Sequence, residues 1–130
     1  MKNYPVSPDL STPRGYSHVV TASGTMVFIS GQIALDKEGK IVGPGDMRAQ
    51  AAQVYENLKA ALAAAGATFA DVVKQNTYVV GLNAESIAAV REVRGRYLPD
   101  ANPPASTLVG VTALAMDGLL IEIEMVAVIS

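Results

Sequence analysis

The chain has 130 residues, with twelve acidic and ten basic side chains, one histidine, no cysteine and an apolar half. That length holds one domain, and a net charge of -2 without a basic cluster argues against a nucleic-acid partner. The missing cysteine removes disulfides, thiolate zinc sites, iron–sulfur clusters and a cysteine nucleophile together, and the lone His18 excludes a multi-histidine metal site within one chain.

Residues 1–13 are polar and proline-bearing and read as an N-terminal extension of a single domain, 1–130. They hold no apolar core of a signal peptide, and no run approaches the ~18 apolar residues of a membrane span. The expected setting is cytoplasmic, without membrane contact. Two strand-like runs, Tyr16 to Ala22 and Thr25 to Ser30, flank Ser23-Gly24 and predict a hairpin. Turns follow at Asp36 to Lys40 and at Gly43-Pro44-Gly45. Asp46 is a predicted N-cap. Beyond it Met47, Ala51, Val54, Tyr55, Leu58, Ala61, Leu62 and Ala65 trace one face of a helix about 30 Å long, which Gly66 ends. Val73 to Val80 predicts a strand. Ser86 is the expected N-cap of a second helix, with Ile87, Val90, Val93 and Tyr97 inward and Glu92, Arg94 and Arg96 on a solvated side. Thr107 to Thr112 and Leu119 to Ile129 are the last two strands. The order predicts an α+β domain with one sheet and its helices on one face.

In the last strand, Leu119, Ile121, Ile123, Met125 and Ala127 form a wholly apolar face. The opposite face, Leu120, Glu122, Glu124, Val126 and Val128, mixes two carboxylates with large aliphatic side chains. An ordinary exposed strand is one reading. A subunit interface containing a pocket is the other, with the valines against a neighbouring chain and a glutamate facing a cavity.

Several motifs resemble the Rid (reactive intermediate deaminase, YjgF) family: Ile29-Ser30-Gly31-Gln32-Ile33, the helix Ala49 to Gly66, Asp71-Val72-Val73-Lys74, Pro104-Ala105-Ser106-Thr107 and Ile121-Glu122-Ile123-Glu124. The similarity spans roughly Tyr16 to Val128. It implies a chorismate-mutase-like fold, with two helices on one face of a sheet, and a homotrimer with sites between subunits. It also implies hydrolysis of small enamines or imines to a carbonyl compound plus ammonia, without metal or cofactor. By the same resemblance Glu122 positions the water, Ser30 and the Gly31 amide bind at the strand end, and Tyr16 closes the cleft. Ser106 and Thr107 lie at the cleft by position.

The sequence departs from the family where it matters for substrate. The arginine that clamps a substrate carboxylate after Pro-Ala is Ser106, which offers one donor and no charge. A frequent cysteine is Leu108, and a frequent asparagine falls near Ala88 or Ala89. The expectation is a C–N hydrolase for a small imine or enamine outside the usual 2-imino acids, with Arg14 as a candidate displaced clamp. The alternative is a non-catalytic small-ligand-binding trimer of the same fold.

Overall fold

The computed structural model describes residues 1–130. Its elements are β1 (Lys2–Asn3), β2 (Thr21–Ala22), β3 (Thr25–Ile33), α1 (Met47–Ala64), β4 (Val72–Val80), α2 (Ala84–Arg94), β5 (Ala105–Val111) and β6 (Ile121–Ile129). Four strands form one sheet in the order β3-β6-β4-β5. The last strand in sequence is thus central, antiparallel to both neighbours, while β4 and β5 run parallel across the α2 connection. Both helices cover one face, giving the expected α+β architecture. Leu119, just before β6, and Ile121, Ile123, Met125 and Ala127 along it are all buried against them, each large side chain contributing about 1.5–3 kcal/mol relative to exposure.

Helix α1 begins as expected: the Asp46 carboxylate accepts from the Ala49 amide at 3.1 Å. Val54, Tyr55, Leu58 and Leu62 are fully buried. The stripe also contains Gln50, fully buried despite its polarity. Its amide donates to the carbonyls of Gly43 at 3.2 Å and Gly118 at 2.9 Å, and its oxygen accepts from the Leu120 amide at 2.8 Å. One side chain therefore ties two turns to the start of β6. The ring of Tyr55 stacks on Tyr97 with centroids 5.1 Å apart, joining α1 to the end of the second helix.

Two local expectations are corrected. Tyr16 to Ala22 and Thr25 to Ser30 do not form a hairpin: β2 pairs with β1, at Lys2↔Ala22 and Asn3↔Thr21. Ser17 lies beside Ala105 of β5, its amide donating to Pro104 O at 3.1 Å, whereas Thr25 opens β3 at the opposite edge of the sheet. The intervening residues must cross the end of the sheet and cannot pair with β3. The second correction moves the α2 cap from Ser86 to Asn83. Asn83 Oδ1 accepts from the Ser86 amide at 2.9 Å, and Ser86 Oγ accepts from the Asn83 amide at 2.9 Å. Ser86 is the return arm of a capping box and not its first residue.

No helix is long and apolar enough to cross a membrane.

Candidate active site

The site residues expected from sequence fall into two groups, on opposite faces of the sheet. The first lies on the face without helices. Ile29 pairs with Met125 and Gln32 with Ile123, so Ser30 and Gly31 together oppose the single residue Glu124. This is a β-bulge, which bends the strand and re-aims its side chains. Gln32 Nε2 donates back to Ser30 O at 3.1 Å, and Asn57 of α1 donates to Ile33 O at 2.9 Å and Leu35 O at 3.0 Å, fixing the strand beyond the bulge. The Glu122 carboxylate lies directly over the Gly31 Cα, in space that any side chain at position 31 would occupy. Glycine there leaves the space that the carboxylate occupies, and the backbone itself makes no demand for it, since this residue is absent from those with positive φ.

The two glutamates of β6 differ in environment. Glu124 Oε1 accepts from Asn76 Nδ2 at 3.0 Å and from the Tyr78 hydroxyl at 3.2 Å. Desolvation, and then the hydrogen bond to Glu124, push the Tyr78 hydroxyl above its usual range, so it remains a donor. Glu122, opposite both Ile33 and Tyr78 in register, makes no hydrogen bond within the chain and is only half-buried. Of the pair, Glu124 is held by the scaffold and Glu122 is free to act on another molecule. Around them the face is apolar, with Phe28 72% exposed and Met26 58% exposed.

The second group lies on the helix side. Between α2 and the edge strand β5 is a cavity of about 140 Å³ lined by Arg14, Tyr16, Thr77, Val90, Arg91, Arg94, Ser106 and Leu108. The bridge of Ser17 to Ala105 and the Ser17 hydroxyl, which donates to Pro103 O at 2.5 Å, bring Tyr16 and Arg14 to its mouth. Ser106 reaches it because residue 106 pairs with Gln75, which faces the helices. Thr107, one residue on, points to the other face and accepts from Lys74 Nζ at 2.7 Å; it joins neither group. His18 packs its ring edge-on to Tyr16 with centroids 5.3 Å apart, and its Nε2 lies 2.7 Å from Ser11 O. It faces the loop of residues 4–13 and not the cavity. No three His, Asp or Glu side chains converge as a metal site would require.

Arg91 and Arg94 were not expected here. The sequence places Arg94 on a solvated side of α2, which holds for Glu92 and Arg96, but Arg91 and Arg94 turn toward the cavity. The available signal was their position one residue beyond the inward Val90 and Val93, at the boundary of the helix-packed face.

Residues 8–129 match the family model described as Endoribonuclease L-PSP. Protein DfrA of Myxococcus xanthus is 45% identical over 114 residues, covering 87% of this chain and 84% of that one. The 2-iminobutanoate/2-iminopropanoate deaminase of Dermatophagoides farinae is 34% identical over 125 residues, 96% of this chain and 92% of its own. The crystal structure of YyfB from Yersinia pestis, a protein of the conserved Rid family, superposes with a TM-score of 0.90 at 41% identity, covering 98% of both chains. By its family model, its relatives and its fold, this chain belongs to the Rid, or YjgF, family.

Proposed function

We propose that the protein hydrolyses a small imine or enamine to a carbonyl compound and ammonia, with Glu122 positioning and deprotonating the attacking water. The observation that carries this reading is the unpaired Glu122 carboxylate held over Gly31 at the bulge, beside a Glu124 already committed to Asn76 and Tyr78. An iminium carbon is already electrophilic, so a carboxylate general base suffices without a stronger nucleophile. Water adds to carbon as Glu122 accepts its proton. That proton then passes to nitrogen, and the C–N bond breaks as Glu122 takes the proton of the new hydroxyl, so that ammonia leaves and the carbonyl forms. The Ser30 hydroxyl and Gly31 amide bind the polar end of the substrate, and Tyr16 closes the cleft above it. Thr107 belongs to the rim of the open face. Relatives that carry the deaminase name support this chemistry.

In one chain Glu122 and the Ser106 cavity are separated by the sheet, so the complete site is built by two copies. The open face, with Phe28, Met26 and Val109 exposed, is the surface they bury, in a homotrimer with three sites between subunits. No cofactor enters the reaction.

Ser106 sets the substrate. A short imino acid with one carboxylate lacks the bidentate clamp an arginine would give, a loss of about 1.5–3 kcal/mol, or roughly 10- to 150-fold in binding. The same substitution favours a second reading, a trimer that binds a small ligand without turnover. The test is imine hydrolysis, with the substrate generated in solution and ammonia release timed against the uncatalysed reaction. Glu122→Gln abolishes acceleration if the hydrolase reading holds. Acceleration that survives in this variant refutes Glu122 as the base, and a wild-type protein that binds ligand but accelerates no imine establishes the second reading.

A further inference from the structure

Three of the ten basic side chains of the chain, Arg14, Arg91 and Arg94, line the single cavity beside Ser106. No acidic residue lines it with them. The ion pairs of the molecule lie elsewhere on α2: Glu92 takes Arg48 at 2.6 Å and Arg96 at 3.9 Å. Asp100 borders the adjoining groove with Arg91 and Arg94 but pairs with neither. The Arg94 guanidinium also packs on Gly15, where φ is +76° and a Cβ would collide with it. Three like charges gathered without a counter-charge repel one another and are stabilised by an anion.

A neutral donor points the same way. The Tyr55 hydroxyl, buried and protonated, donates to Gln75 Oε1 at 3.3 Å, and Gln75 Nε2 donates to Ser106 Oγ at 3.4 Å. The Ser106 oxygen is thereby used as an acceptor, which leaves its proton free to donate into the cavity. From this convergence of three unpaired guanidiniums and an oriented hydroxyl, we infer that the cavity is an anion site matched to a small dianion, a dicarboxylate or a phosphate monoester. Position 106 carries no charge, and the charge of the pocket comes from α2 and the Arg14 segment. For the reacting carbon this inference rests on the hydrolase reading; the anion site is testable without it. The substrate is then a dianionic imine or enamine.

The experiment is calorimetric titration of the wild-type protein, Arg91→Gln and Arg14→Gln with 2-oxoglutarate, inorganic phosphate and pyruvate at low salt. Both arginines are exposed, so neither substitution touches the core. At least one dianion is expected to bind tenfold or more tighter than pyruvate, and each substitution is expected to weaken it about tenfold, the loss of one charge-assisted hydrogen bond. Preference for 2-oxoglutarate over phosphate identifies a dicarboxylate, and the reverse a phosphate ester. Binding of pyruvate as tight as either dianion overturns the inference, as do dianion affinities indifferent to both substitutions or the absence of binding. Arginine-dependent dianion binding in a protein that accelerates no imine hydrolysis leaves the inference standing and removes the hydrolase reading.

Discussion

Gly31→Ala separates the position of the Glu122 carboxylate, the proposed base, from the stability of the fold. The new Cβ would stand 2.7 Å from Cδ of Glu122 and closer still to Oε2. The obstructing group is the free end of a flexible side chain, and the backbone at residue 31 does not need positive φ. The glutamate therefore swings aside, at about 0.5–1.5 kcal/mol for an off-rotamer χ angle. The smaller unfolded-state entropy of alanine offsets about 0.4–1 kcal/mol of that. Net stability, read from the urea midpoint, should change by less than about 1 kcal/mol. The rate should not be spared. Displacing a catalytic group by about 1 Å costs on the order of 100-fold, or roughly 2.7 kcal/mol of barrier. Ammonia release from an imine generated in solution gives kcat, and the same sample gives the urea curve. Undiminished kcat in Gly31→Ala would show that the carboxylate over Gly31 does no chemistry. A drop in stability above about 2 kcal/mol would show that residue 31 is a packing position.

Three further outcomes follow from single residues. Gln50→Leu strands the Gly43 and Gly118 carbonyls and the Leu120 amide, so urea unfolding should register a loss of about 2–4 kcal/mol; a loss under 1 kcal/mol contradicts the structural role given to Gln50. Tyr55→Phe removes the donor to Gln75 within a full-sized core ring, with an expected loss of about 1 kcal/mol and weaker anion binding at Ser106. The Glu92 carboxyl is held below its ordinary value of 4.5, first by the hydrogen bond from Arg48. Its stabilising contribution is complete above pH 4.5 and fades as pH falls through the lowered value. Unfolding midpoints measured against pH should thus fall less steeply on the acid side in Glu92→Gln, and unchanged acid limbs would refute the pairing.

What could be read in the sequence was what rests on local period. Helix α1 follows from the spacing of Val54, Tyr55, Leu58 and Leu62 and from its Asp46 cap, and β6 from the alternation of Ile121, Ile123, Met125 and Ala127 with their neighbours, which breaks only at the buried Val128. The expected hairpin over residues 16–30 does not form because two residues of the polar extension, Lys2 and Asn3, pair with Ala22 and Thr21 from a distance. No local pattern announces such pairing. The α2 cap was ambiguous because Asn83 and Ser86 bond each other's amides. The family pattern led to Glu122, Gly31 and Ser106, yet it could not show that a single chain sets them on opposite faces, which depends on the register of β5 against β4. Arg91 and Arg94 were hidden by a helix boundary, where a one-residue rotation decides between solvent and cavity.

The central claim is that Glu122 of one copy and the Ser106 cavity of another make one site. Mixing two inactive variants tests it most directly: Glu122→Gln, which lacks the base, and Ser106→Trp, which fills the cavity of about 140 Å³. With both variants folded by circular dichroism, co-refolding at equal amounts should restore imine hydrolysis to about a quarter of the wild-type rate, the fraction of interfaces that pair an intact half from each. A mixture as inactive as its two parents would contradict the shared site.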